Sequence, residues 1–117
     1  MVAPTDPLFI QSYGDGNFRI GGADYTGSVI VTRDAVHPWA VTAMADITHD
    51  SFDVLADPAI LLIGTGKTMT LLDPELRAAL GRRGFNADAM DTGAACRTFN
   101  ILLAEDRPVA VALIAVD

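Results

Sequence analysis

The second half of the chain does most to restrict the fold. "AILLI", Ala59 to Ile63, is an unbroken apolar run between breakers, and "PVAVALIAV", which ends at Val116, is another. Such runs belong to strands covered on both faces, because a strand with one wet face would alternate apolar and polar residues. Two punctuated helices are expected between them. In "LDPELRAALGRRGF", Asp73 can cap, Pro74 suits the first helical position, and Gly84 suits a left-handed stop. Arg82 and Arg83 fall in its last turn, where cations interact favourably with the helix dipole. "FNADAM" reads as a short strand, and "DTGAACRTFNILLAED" as a second helix capped by Asp91 or Thr92. The order β-α-β-α-β predicts right-handed crossovers and a parallel core with helices packed against it. The last strand, apolar throughout, is expected near the sheet centre.

The first half is less regular. Residues 1–17 hold two prolines and "YGDGN", and read as an irregular lead-in. "NFRIGGADYTGSVIVT" alternates β-prone runs with glycines, and Gly21-Gly22 suggests a hairpin turn. "PWAVTA" reads as a further strand opened by Pro38. "DSFDVLADP" reads as a short helix with an Asp50 or Ser51 cap and a proline stop. The N-terminal strands either extend the parallel sheet or form an antiparallel layer beside it.

The 117 residues fit one domain, 1–117, and half of them are hydrophobic, enough for one core without staples. A net charge of −7 repels phosphate backbones and argues against a nucleic-acid partner. Cys96 is the only cysteine, so no internal disulfide is possible. The N-terminus lacks a basic start followed by an apolar run, and the longest apolar run is too short to span a bilayer. The expectation is a cytoplasmic protein, at most peripheral to a membrane.

"LLIGTGKTM", Leu61 to Met69, has the look of a phosphate loop. A P-loop needs a glycine five positions before its Gly-Lys pair, and that position is Leu61. The third glycine of a dinucleotide fingerprint would fall on Met69. In both motifs the helix starts on the loop, whereas here it starts at Asp73-Pro74. Gly64 and Gly66 are therefore expected to turn the chain at a strand end, with Lys67 a solvated tip.

The start of the second helix is the better candidate site. Gly93-Ala94-Ala95 places small side chains over free backbone N–H groups, which can receive an anion or a carbonyl. Thr92, Ala95, Cys96, Phe99, Leu102 and Leu103 follow the spacing of a core stripe. Arg97 and Asn100 are neighbours off that stripe. Strand ends at Gly64 and Met90 should open toward the same sheet edge, where ligands of parallel sheets usually sit. The candidate set is Gly64, Gly66, Asp91, Thr92, Arg97 and Asn100, serving as a pocket or a partner surface. Against it, Asp91 caps helices for ordinary reasons, and small residues let a helix lie close to a sheet.

Catalytic signatures are sparse. Cys96 gains from the helix dipole and from Arg97, yet it falls on the apolar stripe, where an inert thiol is expected. His37 and His49 form no cluster with Cys96, so neither a zinc site nor any other metal is expected. No G-x-S-x-G elbow is present. Glu105, Asp106 and Arg107 form a charged turn, either clamped by Arg107 pairing back to Glu105 or Asp91 or open to solvent or a partner. Trp39 and Phe52 are expected in the core.

At "LLIGTG" and "MDTGAACRTFNILLAEDRPVAVALI" the sequence resembles a known small α/β family. Its human member is complex I (NADH:ubiquinone oxidoreductase) assembly factor 3, and it has bacterial and archaeal relatives of undefined activity. The combination Asp91, Thr92, Ala94, Ala95, Cys96, Arg97, Thr98, Asn100, Leu103, Glu105 and Arg107 carries the resemblance, which covers about residues 16–116. It implies a three-layer α/β domain with a central mixed sheet and no cofactor. It also implies a protein-binding assembly factor, whose partners are respiratory-complex subunits or other assembly factors. The absence of a mitochondrial leader points to a bacterial member. Two functions follow: a non-enzymatic interaction protein, or a small-molecule or anion-binding protein or enzyme with its site at the strand end Gly64-Gly66 and the helix start Asp91–Asn100.

Overall fold

The computed structural model describes residues 7–56 and 60–117. Strand β8 (Val109–Leu113) is buried at every position and lies at the middle of a five-stranded sheet. It pairs in parallel with β6 (Ile60–Gly64) and antiparallel with β4 (Val29–Val31). Beyond β6 lies β7 (Asn86–Met90), also parallel, and beyond β4 lies β5 (Val36–Pro38), antiparallel. The mixed sheet with a parallel β6-β7-β8 core agrees with the sequence. Both faces are covered, so β8, β4 and nearly all of β6 are apolar at consecutive positions rather than alternate ones.

Helix α1 (Pro74–Arg82) covers one face. The Leu76 N–H donates to the Asp73 carboxylate at 3.3 Å, and the chain leaves the helix through Gly84 at φ +91°. Leu80 packs there with Leu61, Ile63, Phe85, Trp39 and Phe52. The Trp39 and Phe52 rings lie 5.6 Å apart, as core residues should. Helix α2 (Thr92–Ala104) covers the other face, with Ala95, Cys96, Phe99 and Leu103 against Leu62, Val111 and Leu113. Its cap is Asp91, whose carboxylate accepts from the Ala94 N–H at 2.9 Å.

The first half departs from the sequence reading in three places. The lead-in 1–17 is not irregular where it is described. It contributes β1 (Ile10–Gly14), which pairs with β2 (Asn17–Ile20), and β2 pairs with β3 (Ala23–Thr26). The β1–β2 turn is Asp15-Gly16, both at positive φ, and the β2–β3 turn is Gly21-Gly22 in the same state. Each is a two-residue turn of the kind that matches strand twist. Both arrangements considered for the N-terminal strands occur: β4 and β5 extend the central sheet, while β1–β3 form a separate antiparallel sheet over α2. "PWAVTA" is not a strand. β5 ends at Pro38, and Trp39 turns inward with its indole N–H donating to the Ser51 carbonyl at 2.9 Å. "DSFDVLADP" forms only a 3-10 turn, His49–Phe52, capped by Thr48 rather than Asp50 or Ser51. Its proline stop, and Ala59 of "AILLI", lie outside the described residues.

Candidate functional site

Where β6 ends, Gly64 meets α2 at close range. A Cβ on Gly64 would come within 3.0 Å of Thr92 Oγ1 and 3.1 Å of its Cα. The missing side chain lets the helix start directly against the strand. Thr92, fully buried, then ties three elements together. Its hydroxyl donates to the Ile114 carbonyl at 2.8 Å and accepts from the Gly66 N–H at 3.0 Å. Its own N–H donates to the Gly66 carbonyl at 2.9 Å. Gly66 holds φ +101°, which explains the second glycine of the bend.

These bonds bear on the phosphate-loop question. The Gly66 N–H is held by Thr92, the Thr65 N–H by the Met90 carbonyl, and the Thr70 N–H by the Thr65 hydroxyl. Those donors are turned into the fold, whereas a phosphate loop points them at its ligand. α1 begins only at Pro74, so no helix start faces the glycines from that side.

The other candidate residues divide between two hollows. One, of about 310 Å³, is lined by Tyr13, Gly66, Lys67, Asp91, Gly93 and Asp117 among others. Lys67 is its cation, opposed by the carboxylates of Asp91 and Asp117. The second, of about 540 Å³, lies over the middle of α2 and is lined by residues of β1 with Cys96, Arg97 and Asn100. Asn100 is occupied there. Its amide donates to the Ile10 carbonyl at 2.8 Å and accepts from the Ile10 N–H at 2.9 Å, as a strand neighbour would. Arg97 is exposed. The structure therefore groups Gly64, Gly66 and Thr92 as one hydrogen-bonded joint. It leaves Asp91 at the rim of the first hollow and places Arg97 with Asn100 in the second.

Cys96 is buried, and desolvation pushes its thiol up to about 12, against a smaller opposite pull from Arg97 and a push from Asp91. A thiol held neutral at physiological pH is a poor nucleophile. At the charged turn after α2 the ion pair is Arg33 with Asp106 at 3.0 Å, in place of one from Arg107 to Glu105 or Asp91. No group of three or more His, Cys, Asp or Glu side chains able to hold a metal occurs among the described residues.

One residue escaped the sequence reading. Tyr13 of β1 lies over the start of α2, where a Cβ on Gly93 would collide with its hydroxyl. It therefore lines both hollows. The available signal was the β-prone run Phe9 to Tyr13 ahead of Asp15-Gly16.

Known proteins are similar to this chain in sequence and in fold. The chain is 35% identical over 111 residues to NADH dehydrogenase (ubiquinone) 1 alpha subcomplex assembly factor 3 of Homo sapiens, covering 92% of this chain and 60% of that protein. It thus spans about three-fifths of the length of the vertebrate relatives it matches. The crystal structure of an outer membrane protein from Bartonella henselae superposes with a TM-score of 0.86 at 38% identity, covering 98% of this chain and 100% of that one. The solution structure of a Mth938-like domain from Bordetella pertussis gives 0.78 at 31% identity, covering 100% and 95%. Residues 10–114 match the family described as "Protein of unknown function (DUF498/DUF598)", and the chain belongs to that family.

Proposed function

We propose that this chain is a non-enzymatic, protein-binding assembly factor for a respiratory complex of the NADH:ubiquinone oxidoreductase type. It works from the cytoplasmic side, at most peripheral to the membrane. The observation that carries this reading is the similarity to the human assembly factor across 92% of the chain. Two structural features support it. Thr92 and Asn100, the candidate polar residues nearest the sheet, spend their hydrogen bonds within the fold. Cys96, the thiol on α2, is buried and held neutral. Among the described residues no helix is long and apolar enough to cross a membrane.

The test is deletion of the gene in its host with a tagged copy for rescue. Membrane NADH dehydrogenase activity should fall and recover, and the tagged protein should retain complex subunits. Unchanged activity together with no bound subunit would end this reading.

A second reading is a small anion held in the hollow beside Gly66 and Gly93, with Lys67 as its cation. Asp91 and Asp117 in the same hollow weigh against it. It predicts a thermal shift with carboxylate or phosphate metabolites that disappears in Lys67→Ala. A metabolite panel that leaves the melting temperature unmoved would remove it.

A further inference from the structure

Strand β7 ends the central sheet. The Met90 carbonyl accepts from the Thr65 N–H at 2.8 Å, so residues 86, 88 and 90 turn their backbone groups toward β6. By alternation Ala87 and Ala89 turn theirs outward. The Ala87 carbonyl accepts from the Arg77 guanidinium at 2.6 Å. The Ala87 N–H and both backbone groups of Ala89 have no partner among the described residues.

The other edges of the two sheets are blunted in the ways that discourage pairing. β5 has three residues and ends on proline. β1 carries a register shift, and its Ile10 groups are held by Asn100. β3 has four residues between glycine turns. β7 alone among these edges keeps five residues in unbroken register, and its outward groups belong to Ala87 and Ala89, with the exposed Asp88 between them.

We propose that β7 is a docking edge, taking an extended segment of a partner protein as a sixth strand with a lysine or arginine opposite Asp88. This rests on the assembly-factor reading and names the surface that would serve it. Asp88 is exposed on the face that α2 shares, and the chain carries a net −7. Directly opposite Asp88 a basic side chain meets attraction and an acidic one repulsion, while the Arg77 guanidinium reaches the edge from the α1 side. A second copy is disfavoured for the same reason. The antiparallel register that pairs all five residues sets Asp88 against Asp88 at a non-hydrogen-bonded position, where side chains are closest. In the free protein Arg77 covers the Ala87 carbonyl. An incoming N–H replaces it, and the remaining outward groups gain partners of the kind sheet addition supplies.

The test is a titration of isotope-labelled protein, followed by NMR, with a short capped peptide alternating valine and lysine, and with its glutamate counterpart. The amides of Ala87 and Ala89 should shift and become protected with the lysine peptide. The glutamate peptide should bind about fivefold more weakly or worse. Asp88→Lys should reverse that order. Ala89→Pro, which removes an outward donor at an edge that tolerates proline, should abolish the response while β6 and β8 resonances stay put. Equal response to both peptides, or a response kept in Ala89→Pro, would overturn the proposal. So would concentration-dependent shifts at Ala87 and Ala89 without peptide, which would assign the edge to a second copy. The dependence on function separates cleanly. A deletion strain without a respiratory defect removes the assembly role but leaves the titration standing. Full rescue of a defective strain by Asp88→Lys keeps that role and overturns the edge.

Discussion

One hydroxyl at Thr92 serves two backbone groups, and neither has another partner among the described residues. The Ile114 carbonyl and the Gly66 N–H both lose it in Thr92→Val, a change that keeps the shape of the side chain. Leaving a buried polar group unpaired costs about 1–3 kcal/mol. Two groups in one network set the expected loss at about 2–5 kcal/mol, read from urea unfolding of both proteins. A loss under about 0.5 kcal/mol would mean that water or a neighbour takes the place of the hydroxyl. Cys96 gives a test by pH. Its folded thiol titrates at about 12, above the usual 9.0, so between those values the native state holds a proton that the unfolded chain releases. Stability tied to this group is complete below pH 9.0 and declines as pH rises toward 12. The slope is at most about 1.4 kcal/mol per pH unit. Cys96→Ala should flatten that alkaline decline in stability measured from pH 8 to 11, and an unchanged slope would place its origin in other groups.

At the scale of elements, legibility followed how local the determining chemistry was. α1 is readable from its cap, proline and glycine, and α2 from its cap, because each acts within one turn of the residues it orders. β6 and β8 were readable because burial on both faces leaves an apolar run. "PWAVTA" misled because Trp39 is apolar for a different reason: it plugs the core beside Phe52 instead of extending β5. The β1–β2 hairpin was legible in principle. Asp15-Gly16 between β-prone residues is a strong turn signal, and the prolines before it favour the reading of an irregular lead-in. Of the candidate site residues, Gly64, Gly66 and Thr92 meet where β6 ends. Sequence spacing does not show that their polar groups face each other, since that depends on how closely α2 approaches β6. Nor could spacing along α2 show that Asn100 meets the backbone of Ile10, ninety positions away.

At the scale of the molecule, the question is what keeps the β1–β3 sheet on α2. Two terms compete. Asn100 clamps Ile10 through two hydrogen bonds, worth about 1–3 kcal/mol together in net stability. Ile10, Phe18 and Ile20 are buried against Phe99 and Leu103, each contributing roughly 1.5–3 kcal/mol. The apolar term is the larger, so the sheet should stay docked without the clamp. Asn100→Ala is expected to lower stability by about 1–3 kcal/mol, and amide exchange should quicken at Ile10 while β2 amides keep their protection. Phe18→Ala should cost more, about 3–5 kcal/mol, and loosen the exchange of β1 through β3 together. If Asn100→Ala instead exposes all three strands, the clamp sets the docking and the side-chain cluster merely fills it. The two hollows that border Tyr13 would then open with it, because Tyr13 travels on β1 while Gly66 and Arg97 stay with the central sheet and α2.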